Sequence, residues 1–539
     1  MSRPTATATR TWRRRVHSDD PHYKWWALSC TSVGMLLAAT NSGTLIIALP
    51  DLERAMNTSL LELVWVILAY MIASTVLVLT AGRLSDLFGR KRAYVGGFVA
   101  FSLASLGAGF AADGTQLILW RVVQGVAAAF LFANAAAIVT DAFPRRQLGL
   151  AMGTNTMVAA IGLVLGPVLG GALVSISWQW VFWFNVPLGL AAAAWGAYAL
   201  HELVTPDSVR GLDIPGVTTF VAGLTGLVLA VSKGGISGWN DPVVIGGLIA
   251  AAVLLPAFVL IERHARAPML DLTIFRNRMF AAATAAAFIN GLSRFALLFV
   301  FVFYFQGVKG DDPVLAGIKL APMAIGMLVA SPLAGMWSDR RGSRALAAAG
   351  MVVSAVGLAL MTTLDVDSPY WQSTLWLLLV GVGSGMFNSP NTAAMMGTVP
   401  VHRRGIAAGA RMMLQNTGAV LSIAFVMAIV TSAVPKDVLL QIFSGLASSL
   451  SEQRLDPFIH NMHTALWVLA ATSLVGIGSG MFNSPNTAAM MGVVPVHRRG
   501  IAAGARVMLQ NTGAVLSIAF VMAIVTAAVP KQVLFKIFS

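Results

Sequence analysis

Charge is scarce in this chain of 539 residues. Asp, Glu, Lys and Arg make up 11% of it, where a soluble domain carries about 25%. Cysteine is scarcer still. Cys30 stands alone in an apolar run, which excludes a disulfide framework within one chain. There is no nucleotide-binding loop, no metal-ligand cluster and no catalytic constellation. Neither an enzyme nor a bound cofactor is expected. The charge that exists is lopsided, with 36 basic against 22 acidic residues and a net charge of +14.

In place of charge there is apolar surface. The hydrophobic set supplies 57% of the residues. They fall in long blocks, and a block of about 18 or more can cross a bilayer. A crossing segment must satisfy its own backbone, and the period-2 alternation of a barrel strand is absent, so the spans are helices. The fold class predicted is all-α integral membrane. On a soluble protein the basic excess would suggest nucleic acid. Here the basic residues sit in short loops between spans, where they set topology. Arg13, Arg14 and Arg15 with no small-residue cleavage site make residues 1–26 a cytoplasmic basic tail and not a cleaved signal.

Spans are predicted near 27–50, 61–81, 93–112, 115–138, 148–174 and 178–200, then 214–233 and 242–261. Six more follow near 279–305, 314–337, 345–363, 371–397, 405–434 and from about 462, the last starting near His463 and ending near 482. With the N-terminus inside, the inner loops hold Arg90-Lys91-Arg92, Arg145-Arg146, Arg263/Arg266/Arg276/Arg278, Arg340-Arg341 and Arg403-Arg404. All the larger basic clusters then fall on one side.

Between spans two and three lies Gly82-Arg-Leu-Ser-Asp86-Leu-Phe-Gly89-Arg90-Lys-Arg92, and a weaker copy, Gly335-Met-Trp-Ser-Asp339-Arg-Arg-Gly342-Ser-Arg344, lies between spans nine and ten. Glycines there allow a tight turn at the membrane edge. The aspartate can face a helix N-terminus, and the arginines can pair with acids or carbonyls across the two halves. This loop, repeated once per half, resembles the signature of the major facilitator superfamily. The resemblance implies two six-helix halves that work by alternating access, with Asp141 as partner of Arg90. The two copies start 253 residues apart, whereas six spans need about 180–200. The surplus is two helices, as in the 14-helix drug:proton antiporter branch. The domains expected are 27–200, a pair of linker helices at 214–262, and 279–482.

Span five carries Gly162, Gly166-Pro167 and Gly170-Gly171, which resembles the superfamily's exporter motif. Glycines four apart let another helix approach closely, and Pro167 loosens the helix where alternating access would flex it. Span four carries Arg121 and Gln124. An arginine inside a span is costly and functional by default. The resemblance implies a part in proton coupling or substrate polarity, while a structural arginine bonding loose carbonyls is the competing reading. The aromatic stretch Trp178-Gln-Trp180-Val-Phe-Trp-Phe-Asn185 reads as an interfacial anchor.

Where the 14-helix exporters commonly carry an aspartate in span one, this chain has Asn41. No acid and no histidine is placed in a membrane centre. Glu62 at the outer lip is the best remaining carboxylate to carry a proton. The embedded charges are positive: Arg121, Arg294 with Asn290 one turn earlier, and Arg411. The cavity is therefore expected to be positive or neutral and to prefer neutral or anionic amphiphiles. Asn388, Asn391 and Gln415 are further cavity candidates, with helix-to-helix glue as their alternative role.

Residues 474–539 repeat 379–444 with seven differences in 66 positions. The copy could form a fifteenth span, which the family fold has no place for. The reading that follows is a multi-pass plasma-membrane (inner-membrane) exporter of drug-like or antibiotic amphiphiles, acting as a monomer, with a proton gradient implied by the resemblance. The alternatives are a lipid or envelope-component translocator and a coupling-deficient relic.

Overall fold

A computed structural model describes residues 22–56, 60–203, 213–237, 240–265, 272–311, 313–431 and 452–481, with residues 20, 268 and 270. The basic tail up to residue 19 and the end of the repeated segment, 482–539, lie outside the described residues. Fourteen long helices account for most of what is described, and no strand occurs among the described residues. They are α1 (Tyr23–Met56), α2 (Leu60–Phe88), α3 (Arg90–Ala108), α4 (Gly114–Ala142), α5 (Leu148–Val174), α6 (Asn185–Ala199), α7 (Ile214–Ser237), α8 (Pro242–His264), α9 (Arg278–Phe303), α10 (Ala321–Arg341), α11 (Arg344–Met361), α12 (Tyr370–Gly397), α13 (Arg404–Thr431) and α14 (Glu452–Met481). Among the described residues, nine segments are long and apolar enough to cross a membrane.

Local chemistry sets several helix ends. The Asp113 carboxylate accepts from Gln116 N at 2.7 Å and starts α4. Asp241 accepts from Val243 N at 2.8 Å ahead of α8, and Asn277 accepts from Met279 N at 3.0 Å ahead of α9. Such caps supply acceptors that the first turn of a helix lacks. Asp241 also pairs with Lys233 at 2.9 Å, and that hydrogen bond holds its carboxyl below the ordinary aspartate value.

The packing repeats itself. In the first half α1 lies on α5, α2 on α4, and α3 on both α4 and α6. In the second half α9 lies on α13, α10 on α12, and α11 on both α12 and α14. The halves meet chiefly through α5 on α10 and α13 on α2, a pair that exchanges under the same two-fold relation. The turn between the second and third helix of each half is also repeated, with Gly89 at φ 102° and Gly342 at φ 90°. Only glycine adopts that backbone without strain. Helices α7 and α8 pack on each other, and α7 leans on α13 and α2.

Two predicted placements need correction. The loop motif does not lie wholly between spans two and three, because α2 continues as helix to Phe88 and carries Gly82 and Asp86 on its last turns. The last family helix does not begin near His463. It begins at Glu452, because Leu455, Phe458 and Ile459 give its first turns an apolar face that buries in the second half's core. Pro457 lies inside that helix, at its sixth residue, where it removes one backbone hydrogen bond.

Candidate functional site

The C-terminal ends of α2 and α10 hold the motif residues, and each aspartate reaches across to the opposite half. Asp86 accepts from Gly405 N at 3.2 Å and Ile406 N at 3.0 Å, at the first turn of α13. Asp339 accepts from Gly149 N at 2.8 Å and Leu150 N at 2.9 Å, at the first turn of α5. A carboxylate on unsatisfied N–H groups at a helix N-terminus is favoured by both the hydrogen bonds and the helix dipole. Close approach makes these contacts reachable. A Cβ on Gly82 would meet the Gly405 carbonyl, and Cβ atoms on Gly335 and Gly149 would each press into the other's carbonyl.

The two contacts are unequal. Beside Asp86, Arg90 bonds the Asp86 carboxylate at 2.7 Å, the carbonyl of Val401 at 2.6 Å, and the carboxylate of Asp141. Asp141 also receives Arg404 at 2.8 Å, from the start of α13. Two arginines and two aspartates thus tie α2, α4 and α13 together, mostly buried. Beside Asp339 the position of Arg90 is taken by Ser343 and that of Asp141 by Gly397, so the α5–α10 contact rests on neutral donors.

Glu202 was not singled out from sequence. It follows α6 and its carboxylate accepts from Arg90 N at 2.8 Å and Lys91 N at 3.1 Å, capping α3. Burial pushes its carboxyl above the ordinary glutamate value, against the opposing pull of those N–H groups. Arg404 was seen only as a basic loop residue. Nothing in local sequence marks either, since both act through partners more than 100 positions away.

Inside the first half a buried polar network joins α1, α2, α3, α4 and α6. Arg121 donates to the Val66 carbonyl at 3.1 Å and to the Gln124 side chain, and its guanidinium lies 4.4 Å from the centre of the Tyr70 ring. Gln124 donates to Ser105 Oγ at 2.7 Å and to Asn41 Oδ1 at 3.4 Å. Asn185, within the aromatic stretch read as an anchor, donates to the same Asn41 oxygen at 3.5 Å. No carboxylate takes part. Asn41 thus receives two donors on one oxygen while its own Nδ2 has no partner among the described residues, an arrangement that suits a carboxylate as well as an amide.

The second half differs. Arg294 lies 16 residues into α9, about 24 Å along a helix rising 1.5 Å per residue. Its one side-chain hydrogen bond among the described residues goes to Met327 Sδ at 3.4 Å, a weak acceptor, and its Nε has none. The guanidinium also lies 5.3 Å from the centre of the neighbouring Phe295 ring. Met327 packs with Ala160, Leu163 and Val164 of α5, so this guanidinium sits where the halves meet. Asn290, one turn away, is buried with its Oδ1 unpartnered, and the Nε of Arg411 also lacks a partner. Gln415 donates to Asn388 Oδ1 at 3.4 Å and Asn391 to the Ala283 carbonyl at 2.9 Å. These two contacts join α13 to α12 and α12 to α9.

The glycines of α5 face α1. Cβ atoms on Gly162, Gly166 and Gly170 would meet Ala39, Gly43 and Thr44. Gly171 points elsewhere, toward Val314 just before α10. The helix runs on through Pro167. The side chains of Pro167 and Glu62 lie outside the described residues. Past the C-terminal end of α9, Lys309 bonds the carbonyls of Val366 and Ser368, the latter at 2.7 Å, and Tyr304 bonds the Asp365 carbonyl at 2.8 Å. Burial holds the Lys309 amine below its ordinary value.

Comparison with known proteins agrees with this geometry. A family profile described as Major Facilitator Superfamily matches residues 31–423. The chain is 29% identical over 411 residues to a tetracenomycin C resistance and export protein of Streptomyces glaucescens, covering 76% of each. It is 32% identical over 420 residues to a puromycin resistance protein of Streptomyces alboniger, covering 77% of this chain and 83% of that one. The proton:xylose symporter XylE superposes with a TM-score of 0.57 at 13% identity, over 84% of this chain and 94% of that one, which speaks to the fold alone. A multi-pass helical chain with paired interhelical locks and this profile over most of its length is a transporter and not an enzyme: it belongs to the major facilitator superfamily.

Proposed function

We propose that the protein is a secondary active exporter of small drug-like or antibiotic amphiphiles. The observation that carries this reading is the pair of inner locks. Each joins the halves through an aspartate on two N–H groups, and hydrogen bonds of this kind are individually modest and remakeable. Breaking both lets 27–200 rock against 279–482, with 214–262 riding as linker helices, and exposes the space between the halves to the inside. Two relatives named for resistance to tetracenomycin C and puromycin supply the substrate class.

In this reading Gly82, Asp86, Gly89, Arg90, Asp141 and Asp339 are the gate. Gly162, Gly166, Pro167, Gly170 and Gly171 are the exporter motif on which α1 and α5 move together. Asn41, Arg121 and Gln124 polarise the first half, and Glu62, Asn290, Arg294, Asn388, Asn391, Arg411 and Gln415 complete the cavity, which takes neutral or anionic compounds. The protein resides in the plasma membrane with its N-terminus in the cytoplasm, and works as a monomer. Cells that express it accumulate less puromycin or tetracenomycin C than cells that do not. Equal accumulation at normal membrane levels of protein defeats the reading.

Asn41 favours a second reading of the energy source. A proton carrier needs a group that titrates between two accessible states, and an amide does not. Proton release on substrate addition to proteoliposomes, compared between wild type and Asn41→Asp, separates the two. Proton flux in the variant alone marks the native chain as uncoupled from protons.

A further inference from the structure

We propose that Arg294, with Asn290 beside it, is a docking subsite for an anionic group on the exported amphiphile, and that the membrane potential acting on this charge drives export. The proposal rests on the export reading above and names its substrate class and energy source.

Two arginines within spans make the case by contrast, Arg121 buried and Arg294 half-buried. Arg121 has a backbone carbonyl, an amide oxygen and a tyrosine face around it, so its charge is compensated from within. Arg294 has a thioether and an adjacent phenyl ring, with one nitrogen unpartnered. A charge held within a span by weak partners alone is expensive, and in a membrane that cost selects for function. Its position between α9 and α10, against Met327 and the apolar α5 residues Ala160, Leu163 and Val164, defines what fits. An anionic head meets the guanidinium, the unpartnered Asn290 Oδ1 can accept from a hydroxyl or N–H beside that head, and an apolar body lies along α5 and α10. Arginine suits sulfonate, carboxylate or phenolate groups because its planar fork donates in pairs.

The energy source follows from the substrate's sign. A cell interior is negative, so an anion leaves down the electrical gradient. One charge gains a bias of about fifty-fold per 100 mV. Export of a monovalent anion therefore needs no titrating carboxylate, and the absence of one from the span centres, Asn41 included, ceases to be a defect. The substrate brings the negative charge that the protein lacks.

The test uses the full chain in proteoliposomes loaded with 8-anilinonaphthalene-1-sulfonate, and binding in detergent of that anion and of its uncharged parent, N-phenyl-1-naphthylamine. The expected result is efflux of the anion that rises at least tenfold when valinomycin sets the lumen negative, and that ignores a pH gradient imposed with the potential clamped. Arg294→Gln should weaken binding of the anion at least tenfold and leave binding of the neutral parent unchanged, while Arg294→Lys, which keeps the charge, should retain most of the voltage-driven flux. Efflux that follows the pH gradient at clamped potential overturns the driving force. Equal loss of both probes in Arg294→Gln, or no loss of the anion, overturns the subsite. If no compound, puromycin included, moves under any gradient although the anion binds through Arg294, the export reading fails and the driving force fails with it, while the subsite stands.

Discussion

Asp86 and Glu202 are both carboxylates on the N-terminal turns of helices, yet a substitution at each should read differently. Asp86 joins the halves and lies in a buried cluster with Arg90, whose other carboxylate is Asp141. Removing one member of such a buried set costs about 3–5 kcal/mol because the partner charge is stranded. Asp86→Ala should reduce transport at least tenfold and loosen the inner gate. In a Cys30→Ala background, a cysteine placed at Ile406, which the closed gate buries, should then react faster with a membrane-impermeant thiol reagent from the inside, and an unchanged rate would refute the lock. Glu202 caps α3 within its own half. Glu202→Gln should lower the thermal midpoint in detergent by a few degrees, as loss of a cap worth about 1 kcal/mol does, with transport at 25 °C nearly intact. At this scale the sequence was informative wherever a motif fixed the residue, as at Asp86 and Arg90. It was silent on Glu202, Asn185 and Arg404, because the chemistry of each depends on a partner that only folding supplies.

The helices show which of the small residues matter and why. On α5 the glycines at 162, 166 and 170 seat α1, while Gly149, near the same helix's start, seats α10 at Gly335. A side chain at either place must push backbone against backbone, since the nearest atoms include main-chain atoms that cannot swing away. Gly335→Val is expected to part α10 from α5 at the inner end, shift the protein toward an inward-open form and reduce transport severely. Crosslinking between cysteines introduced at Arg145 and Arg340, in the same Cys30→Ala background, would then fall relative to the parent. Undiminished crosslinking would show that the contact bends without opening. Helix identity and order were legible from apolar blocks alone. Two ends were not. The continuation of α2 to Phe88 reads as a polar loop because its last turns are wetted by charge. The start of α14 at Glu452 reads as connection because its apolar face is interleaved with Glu, Arg and Asp, and only the burial of Leu455, Phe458 and Ile459 turns it into helix.

For the whole molecule, the two-fold relation accounts for the main contacts of α1–α6 and α9–α14. Deletion of residues 493–539, which begins outside the described residues and removes most of the repeated segment, is expected to leave drug export within about twofold of the full chain, measured at matched membrane levels. Loss of all transport would give that tail a role. The repeat was plain in the sequence because it is a near-identity. The two-fold relation between halves was legible only through the twin loop motif, because packing geometry constrains where small and polar residues sit far more loosely than it constrains which residue types surround them.

The unequal locks also bear on how the molecule must move. Guanidinium and carboxylate groups bolt α2 and α4 to α13, while α10 meets α5 through neutral donors alone. Two doors held by bolts of different strength do not swing together. The α5–α10 edge is expected to part before the α2–α13 edge, so the rocking would be lopsided from its first step.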